Sequence, residues 1–172
     1  MIFIYNCYGG THTSSLASAI HLGKLPEDRL PTREEILNTE YFNKLNYKDM
    51  GRFIYRGVDS GGNKVYSLGR GWSSVLLPCL KNFLELLHEE CGLNEKIVLS
   101  NMSPTVPPVM TVGGFVSRAM GINFIGEPLL VIGSRQAYQR ITEIVKETKD
   151  TAKRMKETVV MLENKVPHPA KA

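Results

Sequence analysis

Cysteine, tryptophan and long apolar runs are all scarce in this chain of 172 residues, and each scarcity removes a class of protein. Three cysteines, Cys7, Cys79 and Cys91, with no CxxC spacing, offer neither a disulfide framework nor a zinc knuckle, so reduced thiols are expected. No apolar stretch reaches the ~18 residues of a spanning helix. The amino end, Met1-Ile2-Phe3-Ile4-Tyr5-Asn6-Cys7, carries no basic leader. A cytoplasmic protein that does not enter a membrane is therefore expected. Charge of either sign is unclustered: 21 Lys and Arg stand against 17 Asp and Glu, a net charge of +4. With no aromatic-plus-basic stretch and no zinc-finger or RNP pattern, nucleic acid is not an expected partner. Carboxylates are not gathered as metal ligands, and no metal site is expected.

What remains is the composition of an ordinary globular domain, 42% hydrophobic and 22% charged, at a length that fits one core. Residues 1–150 are expected to form a single α/β domain. Ile2 to Tyr8 reads as a buried strand closed by Gly9-Gly10, and Ser14 to Leu22 as the helix that follows. Thr32 and Glu35 make a capping-box signature. Arg52 to Val58 and Lys64 to Leu68, flanking Asp59-Ser60-Gly61-Gly62-Asn63, read as a β-hairpin. A helix is expected from near Leu77 to Cys91, ended by Gly92, then a strand over Lys96 to Asn101 and a helix over Val109 to Met120. Pro128 to Ile132 reads as the last strand, with Gly133-Ser134 opening the last helix. Strands alternating with helices imply a three-layer α/β fold: a mostly parallel sheet with helices on both faces and right-handed crossovers, P-loop-like or Rossmann-like, with the hairpin as an insertion. From Ile141 onward, Val145, Thr148, Ala152, Met155, Val159 and Leu162 continue a heptad-like spacing. This predicts a long amphipathic C-terminal helix over 135–165, partly projecting or pairing with a second copy, and a loose tail over 166–172.

The residues that carry chemistry concentrate in the first turn. Gly9-Gly10-Thr11-His12-Thr13-Ser14 joins a strand to a helix, and a helix amino terminus presents unpaired N–H groups and partial positive charge to an anion. Gly9, Gly10, Thr11, Thr13 and Ser14 are the candidate ligand-binding residues, with His12 as a source of charge or proton transfer. The loop lacks the lysine of GxxxxGK[ST], so it is not a Walker A motif. Arg70, between Gly69 and Gly71, offers a guanidinium fork in its place. Asn101 and Ser134, each beside a predicted strand end, are further ligand candidates. The expected partner is a small anion, a nucleotide or a phosphometabolite; the cofactor is open, with Mg²⁺ implied if the ligand is a nucleotide. The alternative is a non-catalytic module that dimerises or docks through the C-terminal helix. Cys7 reads as a small buried residue: a phosphatase-like cysteine loop closes with an arginine at a fixed short spacing, and none occurs before Arg29. A thiol-dependent enzyme using Cys7 is the third reading.

The segment Tyr5-Asn6-Cys7-Tyr8-Gly9-Gly10-Thr11-His12-Thr13-Ser14-Ser15, continued by Ala19-Ile20-His21-Leu22-Gly23, resembles the DUF3189 family of small bacterial proteins of unknown function. The Gly69-Arg70-Gly71 and Asn101 regions follow in the same order. The resemblance covers about the first 150 residues and implies a bacterial cytoplasmic protein, with no catalytic assignments to carry over.

Overall fold

The computed structural model describes residues 1–165; the predicted tail over 166–172, with His168, lies outside the described residues. Five strands form one sheet: β1 (Ile2–Cys7), β2 (Phe53–Val58), β3 (Lys64–Gly69), β4 (Ile97–Asn101) and β5 (Val159–Leu162), in the order β2-β3-β1-β4-β5. β1 runs parallel to both β3 and β4, β4 runs parallel to β5, and β2 is the antiparallel edge. The expected three-layer α/β fold, its hairpin and its mostly parallel sheet are all present.

The alternation of β1 dictates the layers. Phe3, Tyr5 and Cys7 point to one face and pack with Leu16, Ala17 and Ile20 of α1 (Thr13–His21), together with Ile141, Ile144 and Val145 of α5 (Asn123–Arg154). Ile4, with Leu68, Ile97 and Leu99, points to the other face, under Leu77, Leu80 and Leu84 of α3 (Leu76–Cys91). A short α2 (Arg33–Asn38) opens on the predicted capping box: the Thr32 hydroxyl accepts from the Glu35 amide while the Glu35 carboxylate accepts from the Thr32 amide. At Arg56 the β2–β3 register shifts, and the bulge turns this arginine inward. There Nε donates to Ser67 Oγ, Nη2 to Ser15 Oγ and Nη1 to the Glu40 carbonyl, with the Tyr41 ring stacked 5.1 Å away.

Two expectations are corrected beyond β4. Residues 128–132 are not a strand: they lie inside α5, which packs as a hairpin on α4 (Pro108–Arg118). A five-residue apolar run has no periodicity that separates strand from buried helix, and Pro128 with Gly133 read as strand punctuation. Gly126 and Gly133 instead let the two helices touch. A Cβ on Gly126 would lie 2.5 Å from Ser117 Cβ, and one on Gly133 would lie 2.7 Å from Met110 Cβ. Nor does one helix run from 135 to 165. α5 ends at Arg154, and Val159-Val160-Met161-Leu162 pairs with β4, supplying the backbone partners that a buried strand requires. Ile141, Val145, Thr148 and Ala152 are buried against their own sheet, so the heptad-like face does not project.

This last connection also departs from the expected handedness. The β1-to-β3 step carries α1 on one face, and the β3-to-β4 step, in the opposite direction, carries α3 on the other, so the two share one hand. The β4-to-β5 step runs with the β3-to-β4 step but places α5 on the α1 face, which is the opposite hand. The rule couples strand twist to a helix laid directly on the sheet. Residues 102–158 meet that condition only at their end, beyond the α4–α5 hairpin.

Candidate functional site

After Cys7 the chain crosses directly over the end of β3. Gly10 has φ +69°, and a Cβ there would sit 2.6 Å from the Gly69 nitrogen; a Cβ on Gly69 would sit 2.9 Å from the Gly9 carbonyl. These glycines serve a backbone-on-backbone crossing. Past the strand ends, the Arg70 amide donates to Cys7 O (3.0 Å) and the Gly71 amide to Tyr8 O (2.9 Å), which places Arg70 beside the loop. The amides of residues 9–15 donate to no acceptor among the described residues, and the first amide of this stretch to be satisfied is that of Leu16, on His12 O.

The hydroxyls of the loop are already engaged. Thr11 Oγ1 donates to Tyr41 O and accepts from the Lys44 and Leu45 amides, which pins the 41–45 turn. Thr13 Oγ1 donates to Met102 O at 3.3 Å, and Ser14 Oγ lies 3.2 Å from Cys7 Sγ. Backbone N–H groups, and not the Thr and Ser side chains, are thus the free donors. His12 is held by a chain of hydrogen bonds. Its Nε2–H donates to Asn43 Oδ1 (3.2 Å), Asn43 Nδ2 to Ser117 Oγ (2.7 Å) and Ser117 Oγ to Asn123 Oδ1 (2.7 Å). The Asn43 amide orientation required by Ser117 sets this tautomer. Burial drives the His12 imidazole down to about 4; the hydrogen bond to Asn43 opposes this and the charge of Arg118 adds to it. His12 is therefore neutral at pH 7, so that of charge and proton transfer, the two roles expected of it, it does not supply the charge.

Two arginines supply it. Arg70 Nη2 donates to Ser103 Oγ at 3.2 Å, and Arg118, from the last turn of α4, approaches from the opposite wall. Four buried side-chain polar atoms lack a hydrogen-bond partner among the described residues, and two of them are Arg70 Nε and Arg118 Nη1. Burial lowers the Arg118 guanidinium from its ordinary value, while the charges of Tyr47, Asp49 and Cys7 oppose that shift. Arg118 was not legible in the sequence: it closes a helix whose relation to the first turn is purely tertiary.

These groups line one cleft of ≈ 550 Å³ at the carboxyl ends of β1, β3 and β4, within the usual range for small-molecule sites. Cys7, Gly9, Thr11, His12, Thr13 and Arg70 border it, with Tyr8, Tyr47, Trp72 and Phe115 at the apolar wall. Trp72, 89% exposed, stacks on Tyr8 at a centroid distance of 4.9 Å. Asn101 and Ser134 are not in the cleft. Asn101 is buried, donating to Glu163 and accepting from the Ser103 amide. Ser134 is buried mid-helix in α5, because the strand that was to place it is helical. Among the described residues no carboxylate borders the cleft, and no group of three or more His, Cys, Asp and Glu is able to hold an ion. This donor set does not fit Mg²⁺ by itself.

A family model described as "Protein of unknown function (DUF3189)" matches residues 2–150. The chain belongs to the DUF3189 family. The matched span contains every residue of the cleft and ends before β5. No curated protein and no solved structure matches the chain. No described helix is long and apolar enough to cross a membrane.

His21 lies outside the cleft. Its Nδ1 accepts from Tyr5 OH (2.7 Å) and its Nε2–H donates to Asp59 (3.0 Å), tying α1 to β1 and to the hairpin turn. Burial lowers its imidazole below the ordinary value, against the hydrogen bond it donates to Asp59. Asp59 shapes the turn as expected. Burial would raise its carboxyl, but hydrogen bonds from Asn63, His21 and Gly61 outweigh it and hold it at about 2.

Proposed function

We propose that this cleft binds a phosphate-containing ligand, a nucleotide or phosphometabolite, and that the protein handles its phosphoryl group. The observation that carries this reading is a pair of arginines lining one cleft, Arg70 and Arg118, each with a buried guanidinium nitrogen that lacks a partner among the described residues, together with Gly9, Thr11, His12 and Thr13 of the loop whose amides are free. Buried donors left unpaired cost about 1–3 kcal/mol each, a cost that an anion accepting from them removes. Phosphate oxygens match both the guanidinium fork and the amides of a helix start. Among the expected ligand residues, Gly9 and Gly10 contribute through their backbone, while Thr11, Thr13 and Ser14 hold the loop in shape. The cytoplasmic setting belongs to this reading.

The test is calorimetric titration of the protein with inorganic phosphate, pyrophosphate and ATP. Arg118→Ala and Arg70→Ala should each weaken the tightest of these roughly 10- to 100-fold, the worth of one charge-assisted hydrogen bond, with little change in Tm. Unchanged affinity in both variants would refute the reading. The alternative, a module pairing through the C-terminal helix, would have to use the outer face of α5, since the heptad-like face is covered within the chain.

A further inference from the structure

We propose that Cys7 is a nucleophile toward phosphoryl groups in this cleft, and that the protein hydrolyses aryl phosphates through a phosphocysteine intermediate; this rests on the reading of the cleft as a phosphate site. Cys7 ends β1 and borders the cleft, with its Sγ 3.2 Å from Ser14 Oγ at the start of α1. The loop between them has free amides from Gly9 onward, and Cys7, Gly9, Thr11, His12 and Thr13 line the same cleft. A cysteine beneath a helix start identifies nothing alone. The independent observation is two arginines, Arg70 and Arg118, lining the same cleft, each with a guanidinium nitrogen that lacks a partner among the described residues. The absence of an arginine shortly after Cys7 in sequence is answered in space, by one from the end of β3 and one from the end of α4.

The reaction balances without a metal or redox partner. The Cys7 thiolate forms an S–P bond as the P–O bond to the leaving group breaks, and the leaving oxygen takes a proton from solvent. Water then attacks phosphorus, gives up a proton, and the S–P bond breaks to release inorganic phosphate and the thiolate. Ser14 Oγ–H, within hydrogen-bond distance, donates to the departing sulfur. Developing charge on the phosphoryl oxygens falls on the amides and guanidinium groups. Among the described residues no carboxylic acid borders the cleft to protonate the leaving oxygen, which favours groups stable as anions. Tyr8, Trp72, Tyr47 and Phe115 form the wall that an aryl ring would meet.

The experiment uses the full chain with the two exposed thiols replaced, Cys79→Ser and Cys91→Ser, so that Cys7 is the sole cysteine. Hydrolysis of p-nitrophenyl phosphate is compared with that of glycerol phosphate, phosphate binding is measured by calorimetry, and phosphoenzyme is sought by acid quench and mass spectrometry. Cys7→Ser should lower turnover at least about 100-fold while phosphate affinity stays within about threefold. Ser14→Ala, which keeps the thiol, should slow turnover roughly tenfold and raise the quenched phosphoenzyme, because the second step loses its sulfur donor. Iodoacetamide should inactivate the parent chain, and inorganic phosphate should protect it, which retains a readout if Cys7→Ser does not fold. Phosphate binding without hydrolysis or phosphoenzyme, or hydrolysis that survives Cys7→Ser, overturns the nucleophile and leaves the phosphate site standing. Absence of phosphate binding sinks both.

Discussion

His12 shows how a residue that looks like a cation can be held neutral by its surroundings. Its ring carries the hydrogen-bond chain through Asn43 and Ser117 to Asn123, and a charged imidazole would be buried beside Arg118. A folded value of about 4 against the ordinary 6.5 means the folded state resists protonation. This stability is complete above pH 6.5 and is lost as pH falls from 6.5 toward 4, up to about 3 kcal/mol. Urea unfolding of His12→Gln at pH 7 and pH 4.5 should show a shallower pH dependence than the parent; an identical slope would contradict the neutral, buried ring. His21 contributes in the same direction, so the comparison must be made as a difference between the two proteins. His21→Leu should cost about 1–3 kcal/mol, since it strands the buried Tyr5 hydroxyl and leaves Asp59 Oδ2 with only its bond from Asn63, and thermal melts would measure it. Neither role has a sequence signature, because the partners lie 31 and 38 positions away.

Among the elements, the α4–α5 hairpin decides where Arg118 stands. Its crossing depends on missing side chains at Gly113, Gly126 and Gly133, where an added Cβ would meet the opposite helix within 3 Å. Gly126→Ala should therefore push the helices apart, costing about 1–3 kcal/mol in chemical denaturation, and it should also weaken phosphate affinity by displacing Arg118. A loss of stability with full affinity would mean that the hairpin does not position the cation. The strand-or-helix ambiguity at 128–132 has the same origin. Glycines that serve close packing between helices look, in one dimension, like the punctuation of a strand-turn-helix unit.

For the molecule as a whole, the fate of the last thirty residues separates two pictures. A projecting helix could be removed without harm. The observed chain returns instead as β5, covering β4, with Ser100 Oγ bonded to Thr148 Oγ1 (2.9 Å) and to Asn164 Nδ2 (2.9 Å), and Asn101 tied to Glu163. Truncation after Lys149 should leave the chain poorly folded, exposing Ile97 and Val98 and the unpaired edge of β4. Circular dichroism would check this: a native-like, cooperative melt after truncation would return the tail to the status of an appendage.

Local sequence determined β1, the capped α2, the β2–β3 hairpin, α3 and the place of the first turn. Each is specified by periodicity or by residues that favour one backbone conformation within a few positions. It offered Arg70 as a candidate partner of that turn, and the β1–β3 pairing brings the two together. Tertiary packing decided the rest: that Thr11, Thr13 and Ser14 turn their hydroxyls to the protein, that Arg118 and not His12 brings the second charge, and that Val159 to Leu162 closes the sheet. The division follows from range. Dihedral preference and amphipathicity act over a few neighbours, whereas an unpaired guanidinium, a desolvated imidazole and a strand edge exist only once segments far apart in the chain have met.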